Sequence, residues 1–159
     1  MENHYYKAES YDVAVIGGGH AGMEAALAAA HLNMSTLLVT LNKHMLANLP
    51  CNPSIGGSAK GIVVREIDAL GGVQGIIADK ACLQMKMLNT GKGPGVQCLR
   101  SQSDKIDYPK IMQEYAFNTP NLELMEGMVD DLLHDDHHVF GVKIKDKEMK
   151  SNYKRMQKL

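Results

Sequence analysis

The sequence predicts an α/β fold organised around a parallel sheet, and three observations predict it. Val13-Ala14-Val15-Ile16 is a short unbroken apolar run, residues 21–32 (AGMEAALAAAHL) are dominated by strong helix formers, and residues 35–40 (STLLVT) form a second run of strand length. Strand, helix and strand in that order make a β-α-β unit.

Taken in order, residues 1–10 read as a polar extension with no apolar core of a signal sequence. The run 13–16 reads as a central parallel strand buried on both faces. At its end, YDVAVIGGGHAG sets Gly17, Gly19 and Gly22 in the spacing Gly-x-Gly-x-x-Gly, with Gly18, His20 and Ala21 between them. The first glycine suits the tight turn, the second lets a pyrophosphate approach the backbone, and the third lets helix and strand pack closely. The start of the following helix adds amide N–H groups and a partial positive charge for that anion. The residues therefore read as a Rossmann-like, dinucleotide-binding turn. For His20, a contact near the cofactor and simple helix-start packing are both open. One element of the fingerprint is missing: about 20 residues on, where an acid ordinarily meets the ribose, stand Thr40, Leu41 and Asn42, of which Thr40 or Asn42 would hydrogen-bond a ribose less strongly.

Beyond the second strand, residues 48–59 read as a loop with two prolines and a Gly-Gly pair, followed by a helix near 60–70 stopped by Gly71 and Gly72. Met85 and Met87 alternate in a half-buried strand, where core filling is expected of them. Residues 89–105 (NTGKGPGVQCLRSQSDK) read as a second glycine-rich loop. LELMEGMVDDLL and VFGVKI are strand-like, so the intervening HDDHH, residues 134–138, reads as a polar turn of a small β-meander rather than a metal site.

Composition bounds the function. The chain has 159 residues, 45% hydrophobic and 22% charged, with a net charge of −1, enough for a packed core and without the global basic field of a nucleic-acid-coating domain. No run reaches the roughly 18 apolar residues of a membrane span, and a cytoplasmic location is expected. Cys51, Cys82 and Cys98 form no C-x-x-C pair and are expected to be reduced thiols.

The blocks GGGHAGMEAALAAA, PCNPSIGGSAKG, REIDALGG, MLNTGKGPG and LRSQSDK, in this order, carry a specific resemblance across residues 11–145. They resemble the N-terminal part of the MnmG/GidA family, the flavoprotein subunit of the enzyme that modifies the tRNA wobble uridine with a carboxymethylaminomethyl group. The resemblance implies a two-dinucleotide-binding flavoprotein fold in which the turn 17–22 holds the FAD pyrophosphate and the main chain of Val129 lies against the adenine. It implies loops 51–57 and 92–100 near the flavin ring, NADH as reductant, methylene-tetrahydrofolate as carbon donor, tRNA as substrate, a GTPase partner, and homodimers of full-length relatives. Gly95 departs from the alanine usual in the family and would loosen its loop slightly. Cys51 is a candidate nucleophile toward uridine carbon 6, without a visible partner base; a packed or flavin-adjacent thiol is its alternative. Lys92, Arg100 and Lys105 would neutralise reduced flavin or meet tRNA phosphate, and solvated surface explains them as well.

Family members continue far beyond this length. The chain is accordingly expected to be an incomplete, N-terminal FAD-binding portion (11–145) followed by a basic tail (146–159), exposed and partly helical. A non-catalytic nucleotide-binding or interaction module is the alternative reading.

Overall fold

The computed structural model describes residues 10–145, together with the main chain of two short flanking strands, β1 (Tyr5–Lys7) and β10 (Tyr153–Arg155). The chain divides into two compact units, Met1–His44 with Thr119–Leu159, and Met45–Asn118.

The first unit contains β2 (Val13–Ile16), α1 (His20–His31), β3 (Thr36–Thr40), β7 (Leu122–Glu126), β8 (Met128–His134) and β9 (Val139–Lys145). β2, β3 and β7 form a parallel sheet in that order, as the β-α-β reading expects. The burial differs from expectation. β3 is buried at all five positions, whereas β2 is an edge strand among the described residues, with Ala14 and Ile16 exposed. An apolar run records side-chain preference and not the number of neighbouring strands. β3 has a strand on each side, and Leu37 and Val39 form a core with Val142 and Ile144 of the meander. Leu38 alternates to the opposite face; α1, packed on β2 and β3, buries Met23, Ala26, Leu27 and Ala30. The helix ends in a Schellman motif: Asn33 adopts φ 62°, its N–H donates to Ala30 O and that of Met34 to Ala29 O.

The strand-like stretch 122–133 proves to be two strands broken at Gly127. A β-carbon there would lie 2.5 Å from Ile144 Cγ2 and 3.3 Å from Lys145 O, so only glycine lets the chain leave the parallel sheet beneath β9 and begin β8. β8 and β9 pair antiparallel across the turn at 134–138, which matches the meander reading. Asp135 builds the turn: its carboxylate accepts the N–H groups of His137 and His138, each at 2.9 Å, and these bonds hold it below the usual carboxylate range. β10 pairs antiparallel with β9 and parallel with β1. Tyr153–Arg155 is thus extended where a partly helical tail is expected; the rest of that tail lies outside the described residues.

The second unit contains β4 (Ser54–Gly56), α2 (Lys60–Ala69), α3 (Gln74–Lys80), β5 (Cys82–Leu88), β6 (Cys98–Ser103) and α4 (Asp107–Phe117). Here the two glycine-rich segments are not wholly loops: β4 and β6 lie within them and pair antiparallel, with β5 on the far side of β6. α2 ends as expected, with Gly71 N–H donating to Asp68 O and Gly72 N–H to Ile67 O. α3 and α4 are additional. α4 buries Tyr108, Met112 and Ala116, one position per turn. Asp104 starts it, accepting the Ile106 and Asp107 N–H groups on its carboxylate and the Tyr108 N–H on its carbonyl. Met85 and Met87 are 45% and 39% exposed. They are strand residues, as expected, but not core; the core of this unit includes Leu46, Val73, Ile77, Cys98, Tyr108 and Met112.

Candidate functional site

In the first unit the three glycines have three different physical reasons. Gly17 follows β2, donates its N–H to Val39 O at 2.8 Å and turns with φ +103°, a region that L side chains avoid. Gly22 lies so close to this turn that a β-carbon would sit 1.9 Å from Gly17 O. Gly19 is the opposite case: nothing lies within 4 Å of where its β-carbon would be. Its carbonyl takes the Met23 N–H at 2.9 Å, so the amides of His20, Ala21 and Gly22 precede the first bond of the helix ladder. Gly19 at the N-cap supplies no side-chain acceptor, and the first turn of α1 has no acid. An open backbone with forward-pointing amides at the positive end of a helix is suited to an anion. This cradle fits a dinucleotide pyrophosphate, which needs close approach to a bare backbone.

The same edge of the sheet carries a carboxylate. β2, β3 and β7 run parallel, so Gly17, Thr40 and Glu126 share its C-terminal side, where open α/β sheets receive ligands. Glu126 Oε1 accepts the Lys43 N–H at 2.7 Å. Sequence reasoning passes over Glu126 because it looks for an acid after the second strand; the available signal is an acid closing the third strand, directly before Gly127. Val129 begins the meander, half-buried against Leu37, Val39, Val142 and Ile144.

The other sequence-derived candidates belong to the second unit. Cys51 is exposed in the loop before β4. Lys105 Nζ donates to Pro50 O at 3.1 Å beside it. The loop before β6 is braced internally: Lys92 N–H donates to Asn89 O, Asn89 Nδ2 to Val96 O, and Gln97 Nε2 to Lys92 O. Lys92 is exposed, and Arg100 is half-buried on β6 opposite Lys86 and Gly56. An apolar cavity of 110 Å³ lies among Ile55, Val64, Ala78, Met85 and Leu99, with Arg65 at its wall. It is small beside the roughly 300–1,000 Å³ of ordinary cofactor pockets, so it is not a cofactor site by itself. Among the described residues no three His, Cys, Asp or Glu side chains gather as a metal site, and no helix is long and apolar enough to cross a membrane.

Known proteins place this architecture. The chain is 60% identical over 137 residues to the tRNA uridine 5-carboxymethylaminomethyl modification enzyme MnmG of Lactococcus lactis subsp. cremoris, a match covering 85% of this chain and 22% of that one. The crystal structure of Aquifex aeolicus GidA superposes with a TM-score of 0.85 at 44% identity, over 93% of this chain and 24% of that one. A geranylgeranyl bacteriochlorophyll reductase-like protein of Thermoplasma acidophilum, 17% identical, shares the fold with a TM-score of 0.61 over 94% of this chain and 38% of its own. The chain therefore spans about a fifth of the length of the curated relatives it matches. The family model for glucose inhibited division protein A matches residues 12–154. With the glycine turn, the parallel sheet and the meander in place, the chain belongs to the glucose inhibited division protein A (GidA) family.

Proposed function

We propose that this chain is the FAD-binding N-terminal portion of the flavoprotein component of a tRNA-modifying enzyme. The single observation that carries the reading is the glycine cradle: a φ of +103° at Gly17, a 1.9 Å approach at Gly22 and open space at Gly19 meet the three requirements of a dinucleotide turn. Backbone amides of the turn 17–22 would hold the pyrophosphate, with His20 and Ala21 contributing from the first turn of α1 and Gly18 from the loop, and the main chain of Val129 would meet the adenine. When bound, FAD supplies the redox capacity.

The finer reading follows the relatives. The whole protein would place a carboxymethylaminomethyl or aminomethyl group on carbon 5 of the tRNA wobble uridine, with methylene-tetrahydrofolate as carbon source, NADH as reductant and a GTPase partner. It would work in the cytoplasm as a homodimer. Cys51 enters only as a candidate nucleophile. A second reading, a non-catalytic nucleotide-binding or interaction module, draws support from β2, whose outer edge lacks a strand among the described residues. The two readings differ over the cofactor: the first expects these residues to hold FAD, and the second expects them to bind it weakly or not at all; in neither are these 159 residues expected to turn over alone.

The test is the visible absorption spectrum of the purified chain after incubation with FAD and desalting. Flavin bands near one per chain are expected. A colourless protein that also leaves FAD fluorescence unchanged in solution would overturn the cofactor assignment.

A further inference from the structure

A dinucleotide ribose is ordinarily met by a carboxylate at the end of the strand that follows the first helix. Here that strand, β3, ends in Thr40, with Leu41 and Asn42 beyond. A carboxylate nevertheless reaches the place from the neighbouring strand. Glu126 is the last residue of β7, in register with Thr40. The two strand ends are tied together, since Gly127 N–H donates to Thr40 O at 2.9 Å. Their position is fixed from outside by Ile144 and Lys145, which leave no room for a β-carbon at Gly127. From this anchored point Glu126 Oε1 accepts the backbone N–H of Lys43 at 2.7 Å. The carboxylate therefore lies against the segment that directly follows β3, on the same C-terminal edge as Gly17.

We infer that Glu126 is the ribose-reading acid of this fold, delivered from β7 instead of β3, and that it accepts hydrogen bonds from the adenosine ribose hydroxyls of the dinucleotide. The assignment rests on the proposed FAD-binding role of the glycine turn. A carboxylate offers about four acceptor sites, so the bond to Lys43 and one to a ribose hydroxyl are compatible. The Lys43 bond also orients the group, which makes the site preorganised rather than assembled on binding. An anionic acceptor at this point favours nucleotides with a free 2′-hydroxyl over those carrying a 2′-phosphate.

The test compares FAD with FAD containing 2′-deoxyadenosine, titrated by flavin fluorescence into the 159-residue chain and into Glu126→Ala and Glu126→Gln. The unmodified chain should prefer the ribose form about tenfold, as for one hydrogen bond to a charged acceptor. Glu126→Ala should bind both forms equally. Glu126→Gln, which keeps an acceptor for Lys43 and hence the local fold, should show a reduced preference with an unchanged thermal melt. Equal binding of the two forms by the unmodified chain, or a full preference retained in both variants, overturns the role of Glu126 and leaves the dinucleotide reading standing. Failure of the unmodified chain to bind either form overturns both.

Discussion

Gly22 and Gly17 touch across the first turn so closely that the missing β-carbon of one would overlap the carbonyl oxygen of the other, at 1.9 Å. The obstacle is main chain on both sides, so no rotamer change relieves it. Gly22→Ala should cost roughly 3 kcal/mol, the upper end of overpacking, and the loss should appear in a thermal or urea melt without any ligand.

Gly19→Ala should behave differently. Its backbone has φ −74°, open to any residue, and the new methyl meets no protein atom. Stability should change by less than about 0.5 kcal/mol, while FAD affinity falls by at least tenfold, because the methyl occupies the approach to the amides. Equal FAD binding by Gly19→Ala and the unmodified chain would show that no ligand comes near this backbone.

Gly127 is constrained by a side chain as well as by backbone. Gly127→Ala should destabilise by roughly 1–3 kcal/mol. Part of that loss should disappear in an Ile144→Ala background, where Cγ2 is gone, giving a coupling of about 0.5–3 kcal/mol in a double-mutant cycle. Strict additivity would mean that Lys145 O, and not Ile144, sets the constraint.

Asp104 gives a pH dependence of known sign. Its carboxylate accepts the N–H groups of Asp107 and Ile106 and is held below its ordinary range. A depressed folded value means that its stabilisation is fully present above the unfolded value, about pH 4, and is lost as pH falls through the folded one. Asp104→Ala should lower Tm at pH 7, and the gap to the unmodified protein should narrow on acidification below pH 4. A constant gap would mean that the charge on the Asp104 carboxylate contributes nothing to stability.

The two classes of methionine should separate. Met112 is 1% exposed on α4 and Met87 is 39% exposed on β5. Met112→Ala should cost roughly 2–5 kcal/mol, and Met87→Ala should stay within about 0.5 kcal/mol, both read from chemical denaturation.

How far the sequence was legible follows from how local each signal is. The β-α-β unit reads directly, because apolar runs, an alanine-rich helix and glycine spacing all lie within thirty residues of one another. α4 was not anticipated although a local signal for it exists: Tyr108, Met112 and Ala116 recur at helical spacing behind the capping Asp104. β6 was not legible, since the positions it buries include Ser101 and Ser103, small polar residues that give no hydrophobic alternation. The break at Gly127 depends on Ile144, seventeen residues on, and the nearness of Glu126 to Lys43 depends on strand pairing. The glycine turn was visible as a motif, whereas the neighbouring acid needed the register of β3 with β7.

β2 has one further consequence. Its four residues are all apolar, none is a lysine or proline, and one side of its backbone pairs with nothing among the described residues. Natural sheets blunt such edges with charge, proline or a bulge. In a test tube this strand is a template for another copy of itself, so the purified chain should gain mass with concentration in sedimentation, and Ala14→Lys, placed at an exposed position of the strand, should return it toward the monomer. For anyone preparing this protein, the four residues beside the glycine turn are the first place to introduce a charge against association.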